Sequence, residues 1–418
     1  MSIVIPAFNE EVVVGLCLDG ILNVAYRNME VLFINDGSTD GTFSVLDSRL
    51  QLTRCSKHRE GHFTYEPITD TYRSALYPHI WVIDKQNGGK ADALNAGIDY
   101  AEKELVITLD ADSVLEEHSL REMNQAFADN SVVAAGGLVN IAQGFRRRDR
   151  SFHPCFRLTG LIRYQVIQYL TAFYLHKATQ SKIGSITVIA GAFGAFRRSV
   201  LIQADGYRKT VGEDMDITLR IQQLIGTVLK TKRIVFVPEA VCYTECPANL
   251  TNLFKQRIRW QKAFLDCIVT YRRSFYRKLN VKVSTYLLVD SLFLGTISAF
   301  PTLLVPILIL VTMSHLKLSL LLFLISIVLA IMQDVAALLV SRRFNHRYTW
   351  KGYISILLFL PIEVILYRLT GLIFVTTGSI LYLFNKDGWS RSERIGNAIQ
   401  MEAVSQLEPR QLENRRIA

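Results

Sequence analysis

Residues 105–113 read Leu-Val-Ile-Thr-Leu-Asp-Ala-Asp-Ser, and this abrupt change of character constrains the fold more than any other stretch. Five largely apolar, partly β-branched residues suit a strand buried on both faces of a parallel sheet. Side chains two apart on an extended chain point the same way, so Asp110 and Asp112 project together just past the strand's carboxyl end. In open α/β sheets that edge is where ligands bind. Two clustered carboxylates repel unless a cation or donor groups stand between them, and oxygen ligands suit Mg²⁺ or Mn²⁺. On its own the motif reads better as a solvated Asp-x-Asp turn. Its neighbours change that reading.

Similar strand-and-tip units surround it. Residues 2–6 are a short apolar strand ended by Pro6, followed by a helix carrying Val12, Val13, Leu16 and Leu18, with Asn9 placed to cap it. Residues 30–34 form a second buried strand whose tip, Asn35-Asp36-Gly37-Ser38, is again acidic. A capped turn accounts for Ser38 to Asp40 but does not require Asp36, which stands where a base or ribose could be hydrogen-bonded. Residues 51–78 are polar and aromatic without clear period and read as an insertion. A third strand, 79–84, leads into Asn87-Gly88-Gly89-Lys90 at a helix start, where backbone N–H groups and an ammonium can approach phosphate. The spacing is not that of a P-loop. With residues 132–139 continuing the alternation, the pattern gives a doubly wound α/β sheet. No Gly-x-Gly-x-x-Gly follows the first strand, which argues against a dinucleotide cofactor.

Downstream, residues 186–197 (Ile-Thr-Val-Ile-Ala-Gly-Ala-Phe-Gly-Ala-Phe-Arg) predict a strand whose small residues let something approach the backbone closely. Gly212-Glu213-Asp214 opens a helix carrying Ile217, Leu219 and Ile221, where acids complement the helix dipole. Gln256, Arg259 and Trp260 share one helical face. A guanidinium there can clamp a pyrophosphate, and an indole gives a flat apolar floor for a pyranose ring. Residues 255–282 hold nine Lys or Arg and one acid, Asp266, among apolar residues, which also suits a helix lying in an anionic interface.

These motifs together resemble a family-2 glycosyltransferase of the GT-A fold, over residues 1 to about 270. The run Ile5-Pro6-Ala7-Phe8-Asn9-Glu10, the Asn35–Ser38 tip, Asn87-Gly88-Gly89-Lys90, Asp110-Ala111-Asp112, Gly212-Glu213-Asp214 and Gln256-Arg257-Ile258-Arg259-Trp260 carry the likeness. The resemblance implies an inverting, processive membrane β-glycan synthase similar to poly-N-acetylglucosamine, hyaluronan and cellulose synthases. Its donor would be a UDP-sugar, UDP-GlcNAc by preference, and its acceptor a growing glycan. In that frame Ala7, Glu10, Asp36, Lys90 and Asp110 bind UDP, while Asp112 with Asp110 holds Mg²⁺ or Mn²⁺ across the diphosphate. Asp214 is the general base beside Glu213, and Gln256, Arg259 and Trp260 position acceptor and diphosphate. Gly212 departs from the Thr of processive relatives. Trp389 and Arg391 resemble an element that gates the site in hyaluronan synthases. Two alternatives stand beside this reading: a non-processive transferase making a glycolipid, and a catalytically silent nucleotide-binding membrane scaffold.

The chain is half apolar with a mean hydropathy of +0.21, and the excess sits after residue 283. Residues 291–314 lack Asp, Glu, Lys and Arg, and 318–340 are broken only by Asp334; both are long enough to span a bilayer. Arg342, Arg343, Arg347 and Lys351 should keep the next loop cytoplasmic. Residues 352–384, interrupted by Pro361, Glu363 and Arg368, read either as one span plus an interfacial piece or as a re-entrant pair. Glu363 and Arg368 then face a polymer channel or pair between helices. The expected division is a cytoplasmic GT-A domain (1–250), an amphipathic interfacial helix (251–282), transmembrane helices (283–384) and a basic cytoplasmic tail (385–418). The formal charge of +10 suits phosphate and an acidic membrane face, with no nucleic acid, because no recognition module is visible. A small accessory membrane subunit joins the bilayer among the expected partners. No Cys-x-x-Cys pair occurs among the six cysteines, which suits reduced thiols, and no signal peptide is expected because Met1 runs into a strand.

Overall fold

A computed structural model describes residues 1–148, 151–312, 316–344, 347–385 and 400–401. Its strands are β1 (Ser2–Ala7), β2 (Glu30–Asp36), β3 (Leu52–Arg54), β4 (Ile68–Ser74), β5 (Ile80–Lys85), β6 (Leu105–Leu109), β7 (Ser113–Leu115), β8 (Val132–Ile141), β9 (Phe145–Arg148), β10 (Ser151–Pro154), β11 (Phe193–Arg197), β12 (Arg233–Thr244) and β13 (Gln400–Met401). Ten of them form one mixed sheet in the order β3-β4-β5-β2-β1-β6-β11-β8-β12-β7, and β10-β9-β13 form a small second sheet. Alternate residues of β1 and β2 enter different cores. Ile3, Ile5, Val31 and Phe33 pack with the helix Val14–Leu22, whereas Val4, Leu32 and Ile34 pack with the helix Lys90–Tyr100. Burial on both faces is why these strands are continuously apolar.

Parallel pairing brings the tips to one edge. Ala7 of β1 lies beside Asn35 of β2, and Asp36 beside Lys85 of β5, while β6 runs parallel to β1 and ends at Leu109. β11 enters antiparallel between β6 and β8, with Phe193 opposite Leu109. The chain arriving at β11 must therefore cross the same edge.

Three expectations need correction. Residues 51–78 are not merely an insertion, because β3 and β4 within them extend the sheet antiparallel to β5. Asn9 caps no helix: the helix begins at Val14, leaving Val12 and Val13 outside, and the Asn9 side chain accepts instead from the Thr39 N–H at 2.8 Å. Of residues 186–197 only 193–197 are strand, and those just before arrive as irregular chain.

Among the described residues three helices are long and apolar enough to cross a membrane: Val281–Pro306, Leu316–Phe344 and Trp350–Phe384. The third is one continuous helical run, not a re-entrant pair. One of its faces is buried along its length, at Ile356, Phe359, Leu360, Val364, Phe374 and Gly378. Phe359 meets Phe156, Tyr367 stacks on Tyr164 at 5.0 Å, and Phe374 meets Phe254 at 5.7 Å. Near its end Gln261 donates to Ser379 Oγ at 3.1 Å, and Lys262 Nζ donates to the Asn385 carbonyl at 2.6 Å. Both ends thus lie against the sheet domain's helices, while Leu358, Leu366 and Ile373 face outward. Three ionisable residues deep in the apolar region, Asp334, Glu363 and Arg368, are paired. Arg368 bridges Asp334 at 2.8 Å and Glu363 at 3.4 Å, and Asp334 accepts from Thr171 at 2.9 Å.

A Cβ at Gly378 would sit 2.8 Å from Gln261 Cβ, so this glycine sets how close the two helices come. Gly378→Leu should lower stability by about 1–3 kcal/mol through overpacking, read as a lower Tm in detergent.

Candidate active site

The Asp36 carboxylate, 2% exposed, accepts from the Gly88 N–H at 3.0 Å and the Gly89 N–H at 2.8 Å, and pairs with Lys85 Nζ at 2.7 Å. Asn87 Nδ2 closes the same loop onto the Asp36 carbonyl at 2.8 Å. The two glycine N–H groups expected to approach phosphate are therefore held by Asp36. Their work is to shape the turn, with Gly89 at φ +92°, from which the helix Lys90–Tyr100 starts.

Lys90, first in that helix, reaches across the edge to Asp110 Oδ1 at 2.6 Å and Glu213 Oε1 at 3.3 Å. Burial works against its charge, but Asp110 and then Glu213 outweigh it and push the pKa up. Asp214 follows Glu213 at the start of the helix Glu213–Thr227 and accepts from the Met215 N–H at 2.7 Å. Burial, then the Glu213 charge, raises the Asp214 pKa; Lys90 and Arg259 pull the other way. Gly191, in the irregular chain before β11, borders both: a Cβ there would lie 2.9 Å from Lys90 Nζ and 3.9 Å from Asp214 Oδ2. Asp112, 8% exposed, is drawn toward β12 and accepts from Thr244 Oγ1 at 3.2 Å. Glu10 and Ala7 lie at the end of β1, with the Glu10 N–H donating to Thr42 Oγ1 at 2.8 Å.

The helix Leu250–Tyr271 forms the opposite wall and carries Gln256, Arg259 and Trp260. Trp260 is 38% exposed, with the Arg257 guanidinium 4.5 Å over its ring. This helix also accounts for Gly212. A Cβ there would lie 2.5 Å from Ala263 Cβ, so the close approach of the wall leaves no room for a side chain.

A profile described as Glycosyl transferase family 2 matches residues 2–204, and one described as Glycosyl transferase family group 2 matches residues 105–385. The second covers well over half the chain. This protein is a family-2 glycosyltransferase. The transferase is 27% identical over 291 residues to the poly-beta-1,6-N-acetyl-D-glucosamine synthase of Staphylococcus epidermidis, covering 69% of this chain and 60% of that one. To the synthase of Staphylococcus aureus (strain COL) it is 25% identical over 284 residues, covering 68% and 58%. The chain spans about three fifths of the length of these relatives. A solved mannosyltransferase of Pyrobaculum calidifontis, in complex with GDP-Man and Mn²⁺, superposes at a TM-score of 0.54 and 16% identity over 92% of this chain and 87% of that one. The shared fold is GT-A.

Among the transferase's described residues no group of three or more His, Cys, Asp or Glu is arranged to hold a metal. Asp110 and Asp112 remain as two carboxylates at one strand tip. Mg²⁺ is commonly bound by one or two carboxylates plus substrate phosphates, so this donor set fits an ion shared with a diphosphate rather than a closed protein cage. Trp389 and Arg391 lie outside the described residues. Two contributors were not singled out from the sequence. Gly191 sat within a run already marked for small residues. Lys177, whose ammonium donates to the Val188 carbonyl and is pulled down to about 8 by burial against the opposing charge of Asp214, carries no motif.

Asp36→Ala would leave the Gly88 and Gly89 N–H groups and part of the Lys85 charge without their acceptor. The cost should be about 3 kcal/mol, measured by denaturant unfolding.

Proposed function

We propose that this transferase is an inverting, processive enzyme that builds a β-linked polysaccharide at a membrane from UDP-GlcNAc. The observation that carries the reading is the meeting of Lys90, Asp110, Glu213 and Asp214 at one sheet edge, beneath a wall bearing Arg259 and a part-exposed Trp260. The relatives named as poly-beta-1,6-N-acetyl-D-glucosamine synthases support the donor and product.

In this mechanism UDP lies along Ala7, Glu10, Asp36, Lys90 and Asp110. Given its turn-holding role, Asp36 acts on the nucleotide through the shape of the turn. The acceptor sugar rests on Trp260, and Gln256 and Arg259 orient acceptor and diphosphate. Asp214 takes the proton of the acceptor hydroxyl as its oxygen attacks the anomeric carbon. The bond from that carbon to the diphosphate oxygen breaks on the opposite face, and its electron pair leaves with UDP. Inversion of an α-linked donor gives a β-linkage. Lys90 offsets charge on the departing diphosphate. Mg²⁺ or Mn²⁺, held by Asp112 and Asp110, would supply further neutralisation there when bound; the Mn²⁺ of the Pyrobaculum enzyme supports that choice.

The exposed apolar faces of the three long helices support a multi-pass position in the cell membrane, with the basic stretch 255–282 at an anionic cytoplasmic face. Asn385 beside Lys262 supports a tail on the catalytic side, from which Trp389 and Arg391 could gate the cleft. The spans, with or without an accessory subunit, would carry the glycan outward. The pairing of Arg368 with Asp334 and Glu363 favours a structural role for those charges over channel lining.

Membranes supplied with radiolabelled UDP-GlcNAc should yield a ladder of long glycans; a single-sugar lipid would instead support the glycolipid transferase, and UDP binding without turnover the silent scaffold. Asp214→Asn should cut turnover by ~10²–10⁴ and leave UDP affinity within about threefold. Asp214 works deprotonated, so the rate rises with pH through its pKa. That pKa is raised, so the acid limb should lie above the usual carboxylate range. Glu213→Gln removes one cause of the rise and should move the limb to lower pH; an unmoved limb in the pH–rate profile argues against this assignment.

A further inference from the structure

The helix that opens at Gly160 widens to a π-helical stretch, Ala172–Lys177, before it ends with Ala178–Ile183. Such stretches are rare and gather at functional sites. Its last residue, Lys177, has no part in the mechanism above. The Lys177 ammonium donates to the Val188 carbonyl, in the irregular chain ahead of β11. The same peptide group is gripped at its other end, where the Ile189 N–H donates to Thr218 Oγ1 at 3.0 Å. The Thr218 hydroxyl in turn donates to the Asp214 carbonyl at 2.7 Å. One turn further along that helix, Gln222 Nε2 donates to the Ile186 carbonyl at 2.7 Å. Three side chains thus lay residues 186–189 along the helix Glu213–Thr227, and two residues later Gly191 borders Lys90 and Asp214.

A neutral donor could serve the Val188 carbonyl, and burying an ammonium is costly. The surroundings of Lys177 offer little relief, because Phe173, Gly136, Gly137, Val235 and Phe236 line the same small gap. Asp214 is the carboxylate whose charge favours that of Lys177. His176, next to Lys177, is held below its usual value by burial and meets Gln333 at 3.1 Å. Asp334, on the apolar helix that packs here, is engaged by Thr171 and Arg368. A lysine at this position therefore answers to Asp214.

We propose that Lys177 is a positioning residue for transfer: its ammonium holds the Val188–Ile189 peptide, and with it Gly191, against the pair formed by Lys90 and Asp214. The role rests on the glycosyl-transfer reading above and adds an alkaline limit to it. Burial pulls the ammonium down to about 8, so its charge is present below that pH and lost as pH rises through it. Attraction acts on both partners, so without the Lys177 charge Asp214 ionises at a higher pH.

The test follows the full chain in membranes with UDP-GlcNAc across pH. Wild-type kcat should fall as pH rises through about 8. Lys177→Gln keeps a donor without the charge; it should lose that fall and carry its acid limb to higher pH, opposite to Glu213→Gln. Lys177→Arg keeps the charge and should stay active where wild type fails. Lys177→Met, with neither, should lower kcat on the order of tenfold to hundredfold and leave KM for UDP-GlcNAc within about twofold. In that variant amide exchange over residues 186–191, read in detergent, should quicken about tenfold. A wild type without the alkaline fall would overturn the role, as would variants that lower kcat equally at every pH or exchange that does not respond. Should the uncharged variants fail to fold, Lys177→Arg decides: a fall still centred where wild type has it overturns the role. The exchange measurement needs no turnover. If wild type makes no glycan at any pH while exchange responds, the transfer reading has failed and takes the catalytic role with it, whereas the grip on the peptide stands.

Discussion

Lys90 stands among carboxylates that would otherwise repel one another: Asp110 on the tip of β6, Glu213 on a helix more than a hundred residues later, and Asp214 beside it. Opposite charges at these distances offset the desolvation of the ammonium, and its charge is held firmly. The contact does more than balance charge. It ties the helix Lys90–Tyr100, the central strand and the helix Glu213–Thr227 together at the edge where the parallel strands end. Gly191 completes the arrangement because any side chain there would press on the ammonium.

Much of this was legible in the sequence because its causes are local. A strand buried on both faces must be apolar throughout, so the strand at 105–109 and its acidic tip announced themselves, and the rule that ligands sit at strand ends set Asp110 at that edge in advance, whereas Asp214 was brought there only by the family resemblance. What went unread depended on partners far along the chain. Asn9 looked like a cap, but its side-chain oxygen found the Thr39 N–H thirty residues on. β3 is the edge strand and β4 its neighbour, both half exposed and polar, so alternation did not mark them. Asp36 was read for a nucleotide because the turn that occupies its carboxylate comes fifty residues later.

The second wall tells the same story. Gly212 appeared as a departure from the family's threonine, and its reason is the Ala263 methyl carbon of a helix that sequence alone did not place there. The run Trp350–Phe384 is apolar nearly all round, so no periodicity told which face would be buried. Phe156, Tyr164 and Phe254 decide that: Tyr164 and Phe254 belong to the sheet domain's own helices, and Phe156 to the chain leading into one of them.

That last helix has a mechanical consequence. A free membrane helix accommodates a thicker or thinner lipid layer by tilting. One gripped from Phe359 to Asn385 by a folded domain has lost that freedom. In the proposed membrane position the lipids around it would stretch or compress instead, and because the grip runs through Gln261 and Lys262, the two residues after Trp260, acyl-chain length would become a variable that the proposed acceptor site can feel.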